Sequence, residues 1–116
     1  MLNINNYRAG HYNYTDGKYT SYAGRICLND YVDVIKDASF KANITGPTYK
    51  ILVREMDANG KFIKTVILSN TSIYTPSENA TKLGLSIYNA ANSNISMEDY
   101  KEMFASGFEA RLSINN

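Results

Sequence analysis

The segment from Tyr7 to Arg25, YRAGHYNYTDGKYTSYAGR, holds half of the 10 tyrosines of the chain (Tyr7, Tyr12, Tyr14, Tyr19, Tyr22) together with its only histidine, His11. A tyrosine ring is flat and apolar, and its hydroxyl both donates and accepts. Set among Thr, Ser, Asn and Gly, such rings suit a surface that meets a polar ligand with apolar faces. Sugars are ligands of that kind: their C–H groups pack on rings and their hydroxyls need hydrogen-bond partners. His11 would add one donor and one acceptor, and Arg25 a fork of donors. Tyrosine is equally at home rimming an ordinary sheet, so the segment alone leaves binding surface and scaffold both open.

Reaction chemistry has little to stand on. The chain has no G-x-S-x-G, H-E-x-x-H, phosphate-binding loop or dinucleotide fingerprint. One His and one Cys do not make a common zinc site. Asp16, Asp57 and Glu78 fall in turns, and Glu98, Asp99 and Glu102 fall on a helix, where solvation and helix-start electrostatics account for them. The turn Asp57-Ala58-Asn59-Gly60 lacks the spaced acids of an EF-hand. Non-catalytic binding is therefore the expectation, with no cofactor. Cys27, between Ile26 and Leu28, reads as a small buried residue.

The elements that must position these residues read as short strands. Ile26 and Leu28, then Val32 and Val34, then Phe40, Ala42 and Ile44 alternate with period two. TYKILVREM and KFIKTVIL, joined by the DANG turn, form the clearest hairpin. Along TYKILVREM, Tyr49, Ile51 and Val53 share one face and Lys50, Leu52 and Arg54 the other, and alternation does not say which points outward. In LGLSIYNA, Leu83, Leu85 and Ile87 point to the core, while Gly84, Ser86 and Tyr88 form the opposite face, a groove with a low floor and one aromatic wall. Ser96 caps a helix near residues 97 to 106, with Asp99 in the capping-box position and Gly107 as its stop. FEARLSI closes the chain as a strand. The pattern predicts one domain spanning 1–116, an all-β antiparallel sandwich, with the helix as a peripheral decoration. The expected core is Ile26, Leu28, Val34, Phe40, Ile51, Val53, Leu85, Ile87 and Leu112, with most of Phe62 or Ile63 and with Tyr31.

A length of 116 residues and 44% apolar content suffice for a core without disulfides. Charges of 12 basic and 11 acidic residues, net +1, argue against nucleic acid as partner and toward a neutral ligand whose affinity changes little with salt. No apolar run is long enough to span a membrane, and no signal-peptide pattern follows Met1.

The order of segments Gly10-His11-Tyr12, Thr15-Asp16-Gly17, Tyr22-Ala23-Gly24-Arg25-Ile26 and Asp30-Tyr31-Val32-Asp33-Val34 resembles the opening of a bacterial and phage accessory domain. The match continues through Tyr49 to Asp57, Asn59-Gly60-Lys61-Phe62-Ile63 and Ile95-Ser96-Met97-Glu98-Asp99-Tyr100. Such domains resemble carbohydrate-binding-module β-sandwiches appended to secreted glycoside hydrolases, xylan-degrading enzymes among them, and also occur in phage tail proteins. The resemblance implies a jelly-roll fold, no catalysis, glycan binding in a cleft, a covalently linked catalytic domain and a secreted or surface-attached parent. Gly84 departs from the long polar residue that relatives often carry there. Xylan is the first expected ligand, mannan or β-glucan the next, bound by a monomer. The expected carbohydrate contacts are His11, Tyr12, Tyr14, Tyr19, Tyr22, Arg25, Gly84 and Tyr88. A structural or receptor-adhesion domain of a phage tail or surface protein is the alternative reading.

Overall fold

Alternating strands bury one face each, and two such faces close a core. The structure, a computed structural model, describes residues 6–13, 18–21 and 24–115. Tyr14, Tyr22 and the Asp16-Gly17 turn lie outside the described residues. The strands are β1 (Tyr7–Ala9), β2 (His11–Tyr12), β3 (Tyr19–Thr20), β4 (Arg25–Leu28), β5 (Val32–Asp33), β6 (Ser39–Ile44), β7 (Tyr49–Met56), β8 (Phe62–Leu68), β9 (Ile73–Tyr74), β10 (Lys82–Asn89) and β11 (Ala110–Asn115), with helix α1 (Met97–Ala105) before the last.

The larger sheet runs β1-β4-β10-β7-β8, and β5 pairs with the start of β10; the second sheet runs β11-β6-β9. Every pairing is antiparallel. Between the sheets lie Ile26, Leu28, Ile51, Val53, Leu83, Leu85 and Ile87 from one side and Phe40, Ala42, Ile44, Tyr74 and Ala110 from the other. The fold is the expected all-β sandwich. Val34 and Leu112 are only half-buried against this core, and Phe62 and Ile63 on the edge strand β8 are half-buried as well. The β7–β8 hairpin turns where expected: Asp57 Oδ1 accepts from the N–H groups of Asn59 and Lys61, both at 2.9 Å.

The helix starts and stops as its sequence dictates. Ser96 Oγ accepts from the Asp99 N–H and Asp99 Oδ2 accepts from the Ser96 N–H, a complete capping box. Gly107, at φ 99°, lets the Phe108 N–H reach the Met103 carbonyl at 2.9 Å and close the last turn. The helix is not peripheral. Tyr100 is fully buried, and its ring meets Tyr49 and Phe108 edge-on. Met97, Met103 and Phe104 pack beside it against the core.

Two short strands, β2 and β3, pair with each other and stand outside both sheets. The Tyr12 ring lies on Gly84 of β10, so this ribbon folds over the outward face of the larger sheet.

Candidate functional site

The outward face of the larger sheet follows from register. Tyr88 of β10 stands opposite Arg25 of β4 on one side and Lys50 of β7 on the other. The next row holds Cys27, Ser86, Leu52 and Ile67, and the next Gly84, Arg54 and Thr65. Lys50, Leu52 and Arg54 are thus the outward side of β7, the choice that alternation left open.

Tyr12 and Gly84 are covered, not open to the surface as expected. Tyr12 is 1% exposed, and its hydroxyl donates to the Leu28 carbonyl at 2.7 Å. A Cβ at Gly84 would come within 2.5 Å of the Tyr12 ring. The absence of a side chain at Gly84 therefore serves to seat the tyrosine, and the groove inferred from alternation is filled from within the chain. Arg54, 7% exposed, holds the ribbon down: its Nε donates to the Tyr12 carbonyl at 2.9 Å and its Nη1 donates to Thr65 Oγ1. Burial pushes the Tyr12 phenol up to about 12.

Tyr31 also departs from expectation. It is 38% exposed rather than buried, with its ring 4.8 Å from that of Tyr12. Tyr19 is half-engaged: its hydroxyl donates to the Ala9 carbonyl at 2.6 Å, and the Arg8 guanidinium lies over its ring at 3.5 Å. It buttresses the ribbon.

The first row is partly accessible: Arg25, Lys50 and Tyr88 are each half-buried, less exposed than Tyr19 and Tyr31. The Tyr88 ring is half-exposed, and the Arg25 guanidinium sits 5.1 Å from its centroid. Arg25 Nη1 is 3.1 Å from His11 Nδ1. Arginine can only donate, so Nδ1 accepts and the proton of a neutral ring resides on Nε2. Burial lowers the His11 pKa below its ordinary 6.5, and the charges of Arg25 and Arg54 act in the same direction. Lys50 completes the row, its Nζ donating to Ser69 Oγ at 2.9 Å. Of the expected contacts, His11, Arg25 and Tyr88 come together here, and Lys50 joins them unforeseen. Its place beside Tyr88 depends on the β7–β10 register, which one strand's sequence does not carry.

A pH dependence follows from His11. The unfolded chain takes up a proton near pH 6.5, whereas the folded imidazole resists it. Stability is then complete above 6.5, declines as pH falls through 6.5 toward the folded value, and levels off below it. Melting temperature recorded from about pH 7.5 down to about pH 5 is expected to fall more for the natural chain than for His11→Gln; parallel curves would remove His11 as the cause.

Concavities lie away from this row, one of them about 210 Å³, beside Asn6, Asp30 and the exposed Tyr31. A cavity of about 130 Å³ between the sheets is walled by core side chains such as Phe40, Leu83 and Leu85. A cleft of about 560 Å³ between segments 34–38 and 75–81 is lined by Ile35, Lys36, Pro76 and Glu78 among others, and no aromatic ring enters it. Among the described residues, no group of three or more His, Cys, Asp or Glu gathers as metal ligands, and no helix is long and apolar enough to cross a membrane. No family model matches the chain, and no curated protein or solved structure matches it either.

Proposed function

We propose that the chain is a non-catalytic carbohydrate-binding module. It holds a covalently linked glycoside hydrolase, in a secreted or surface-attached parent, on a neutral plant polysaccharide. Xylan comes first among the ligands, mannan and β-glucan next. The observation that carries this reading is the half-exposed Tyr88 ring on a rigid central strand, flanked in register by Arg25 and Lys50 with His11 beside them. A ring supplies the stacking platform, and the flanking groups supply donors to sugar hydroxyls. The resemblance of the segments from Gly10 to Val34 to accessory β-sandwich domains agrees with it.

Affinity electrophoresis across soluble polysaccharides tests the reading. Retardation on xylan is expected, and Tyr88→Ala is expected to weaken it by about 1–3 kcal/mol, as for other aromatic anchors, with little change in melting temperature. Unretarded migration on every polysaccharide would sink the proposal.

A further inference from the structure

We infer that the concavity beside Tyr31 is a second carbohydrate subsite, taking one uncharged sugar ring of a polysaccharide. It rests on the glycan-binding reading for its ligand class, but its residues are not those of the Tyr88 row. Register explains why the chain projects there. β4 and β5 pair with the same edge of β10: Cys27 stands opposite Ser86, and Val32 opposite Leu83. Four residues, 28–31, therefore answer two, 84 and 85, and the surplus is pushed out of the sheet as the exposed loop 29–31. The loop is held on both sides. The Asn29 N–H donates to the Asn6 carbonyl at 2.8 Å, and the Tyr12 hydroxyl donates to the Leu28 carbonyl at 2.7 Å. On the far side, pairing resumes at Val32.

The ring is a platform backed by the protein. Tyr31 leans on Tyr12 with centroids 4.8 Å and planes 37° apart, and Tyr12 rests in turn on Gly84, whose missing side chain leaves it room. Tyr31 is nonetheless 38% exposed, and it borders the concavity of about 210 Å³ together with Leu28, Asp30 and Val32. A platform held from behind loses little freedom when a ligand stacks on it. Beside the ring stands Asp30, exposed, and among the described residues its carboxylate has no hydrogen-bond or ion-pair partner. An ionised carboxylate only accepts, so it calls for a ligand that brings donors. An aromatic face next to such an acceptor matches a sugar: the C–H face packs on the ring, and neighbouring hydroxyls donate to the two carboxylate oxygens. The concavity is smaller than the roughly 300–1,000 Å³ of sites that enclose a whole ligand, so it takes one ring of a longer chain. Gly84 lies four residues from Tyr88 along β10, about 13 Å, which keeps the two sites apart.

Titration calorimetry with soluble xylan, mannan and β-glucan, on the natural chain and on Tyr31→Ala, Tyr31→Phe and Asp30→Ala, tests this. On the polymer that binds, Tyr31→Ala is expected to weaken affinity about tenfold, as aromatic anchors do, and Tyr31→Phe, which retains the ring, to keep most of it. Asp30→Ala is expected to lose about fivefold or more and to melt as the natural chain does, because its carboxylate is exposed and holds nothing among the described residues. Binding should persist as salt is raised. Natural affinity in Asp30→Ala, or in a folded Tyr31→Ala, overturns the second subsite; if Tyr88→Ala still weakens binding, the reading at Tyr88 stands without it. A steep loss of affinity with salt overturns the uncharged ligand and points to a cation held by Asp30. If none of the three polymers binds the natural chain, the glycan-binding reading falls and this subsite falls with it. Melting temperatures check that each variant folds, and Asp30→Ala decides the question if Tyr31→Ala does not fold.

Discussion

Replacing Tyr12 with alanine is expected to cost about 3–5 kcal/mol of folding stability, the usual range for removing a buried aromatic side chain. Tyr12 is 1% exposed, rests on Gly84, packs against Tyr31 and ties the ribbon to the Leu28 carbonyl. Alanine would leave a void above Gly84 that the rigid sheet beneath does not collapse to fill. Small domains hold only about 5–15 kcal/mol in all, so the melting temperature should drop by tens of degrees, or the variant should fail to fold. Tyr12→Phe keeps the ring and loses one hydrogen bond, with an expected cost of about 1 kcal/mol. Thermal unfolding of both variants checks this. A Tyr12→Ala protein that melted normally but lost polysaccharide affinity would return Tyr12 to the role of a ligand platform.

Glu55→Ala is expected to be the second severe change, at about 2–5 kcal/mol. Glu55 is fully buried on the inner side of β7. Its Oε2 accepts from the Tyr74 hydroxyl and, at 3.1 Å, from the Ser77 N–H. One carboxylate therefore joins the central strand to β9 and to the segment after it. Burial, followed by the contact with Glu55, raises the Tyr74 pKa well above its ordinary value. Removing the acceptor leaves the buried Tyr74 hydroxyl without it, at about 1–3 kcal/mol, and also takes the partner of the half-buried Ser77 N–H. Glu55→Gln retains an amide oxygen and should cost less than half as much. Denaturant titration of the pair measures the difference; equal midpoints for Ala and Gln would show that the hydrogen bonds contribute little.

Alternation made most of the sandwich legible. Ile26, Leu28, Phe40, Ile51, Val53, Leu85 and Ile87 are buried as expected, because a period of two needs only one dry face per strand to reveal itself. The capping box and the glycine stop of α1 are equally local and equally readable. The tyrosine segment was not. Tyr12 and Tyr19 read alike in sequence, yet one is interior and the other exposed. What separates them is where the β2–β3 ribbon lands, and that depends on a glycine some seventy residues further along the chain. The exchange of roles between Tyr12 and Tyr31 has the same origin: a residue expected at the surface is the wedge, and one expected in the core is its outer cover. In the candidate row, His11, Arg25 and Tyr88 drew notice in the sequence because each is polar or aromatic on an otherwise unexplained face. Lys50 did not, since a lysine on an amphipathic strand looks the same wherever its neighbour stands.

The pairing of strands distant in sequence has a kinetic side. Ser39 and Asn115 meet across 76 positions, and the Tyr7 hydroxyl reaches Ala110 across 103. Each such closure spends chain entropy before any packing rewards it. A topology of this kind folds on the order of milliseconds to seconds, much more slowly than a helical bundle of the same length. The β7–β8 hairpin needs only the short Asp57–Gly60 loop to close and can form early. β10 must then find β7 and β4 before either sheet has a complete inner face. Until it does, the apolar side of the hairpin stands open to other chains. Yield on refolding should therefore depend on protein concentration even where the native state is stable.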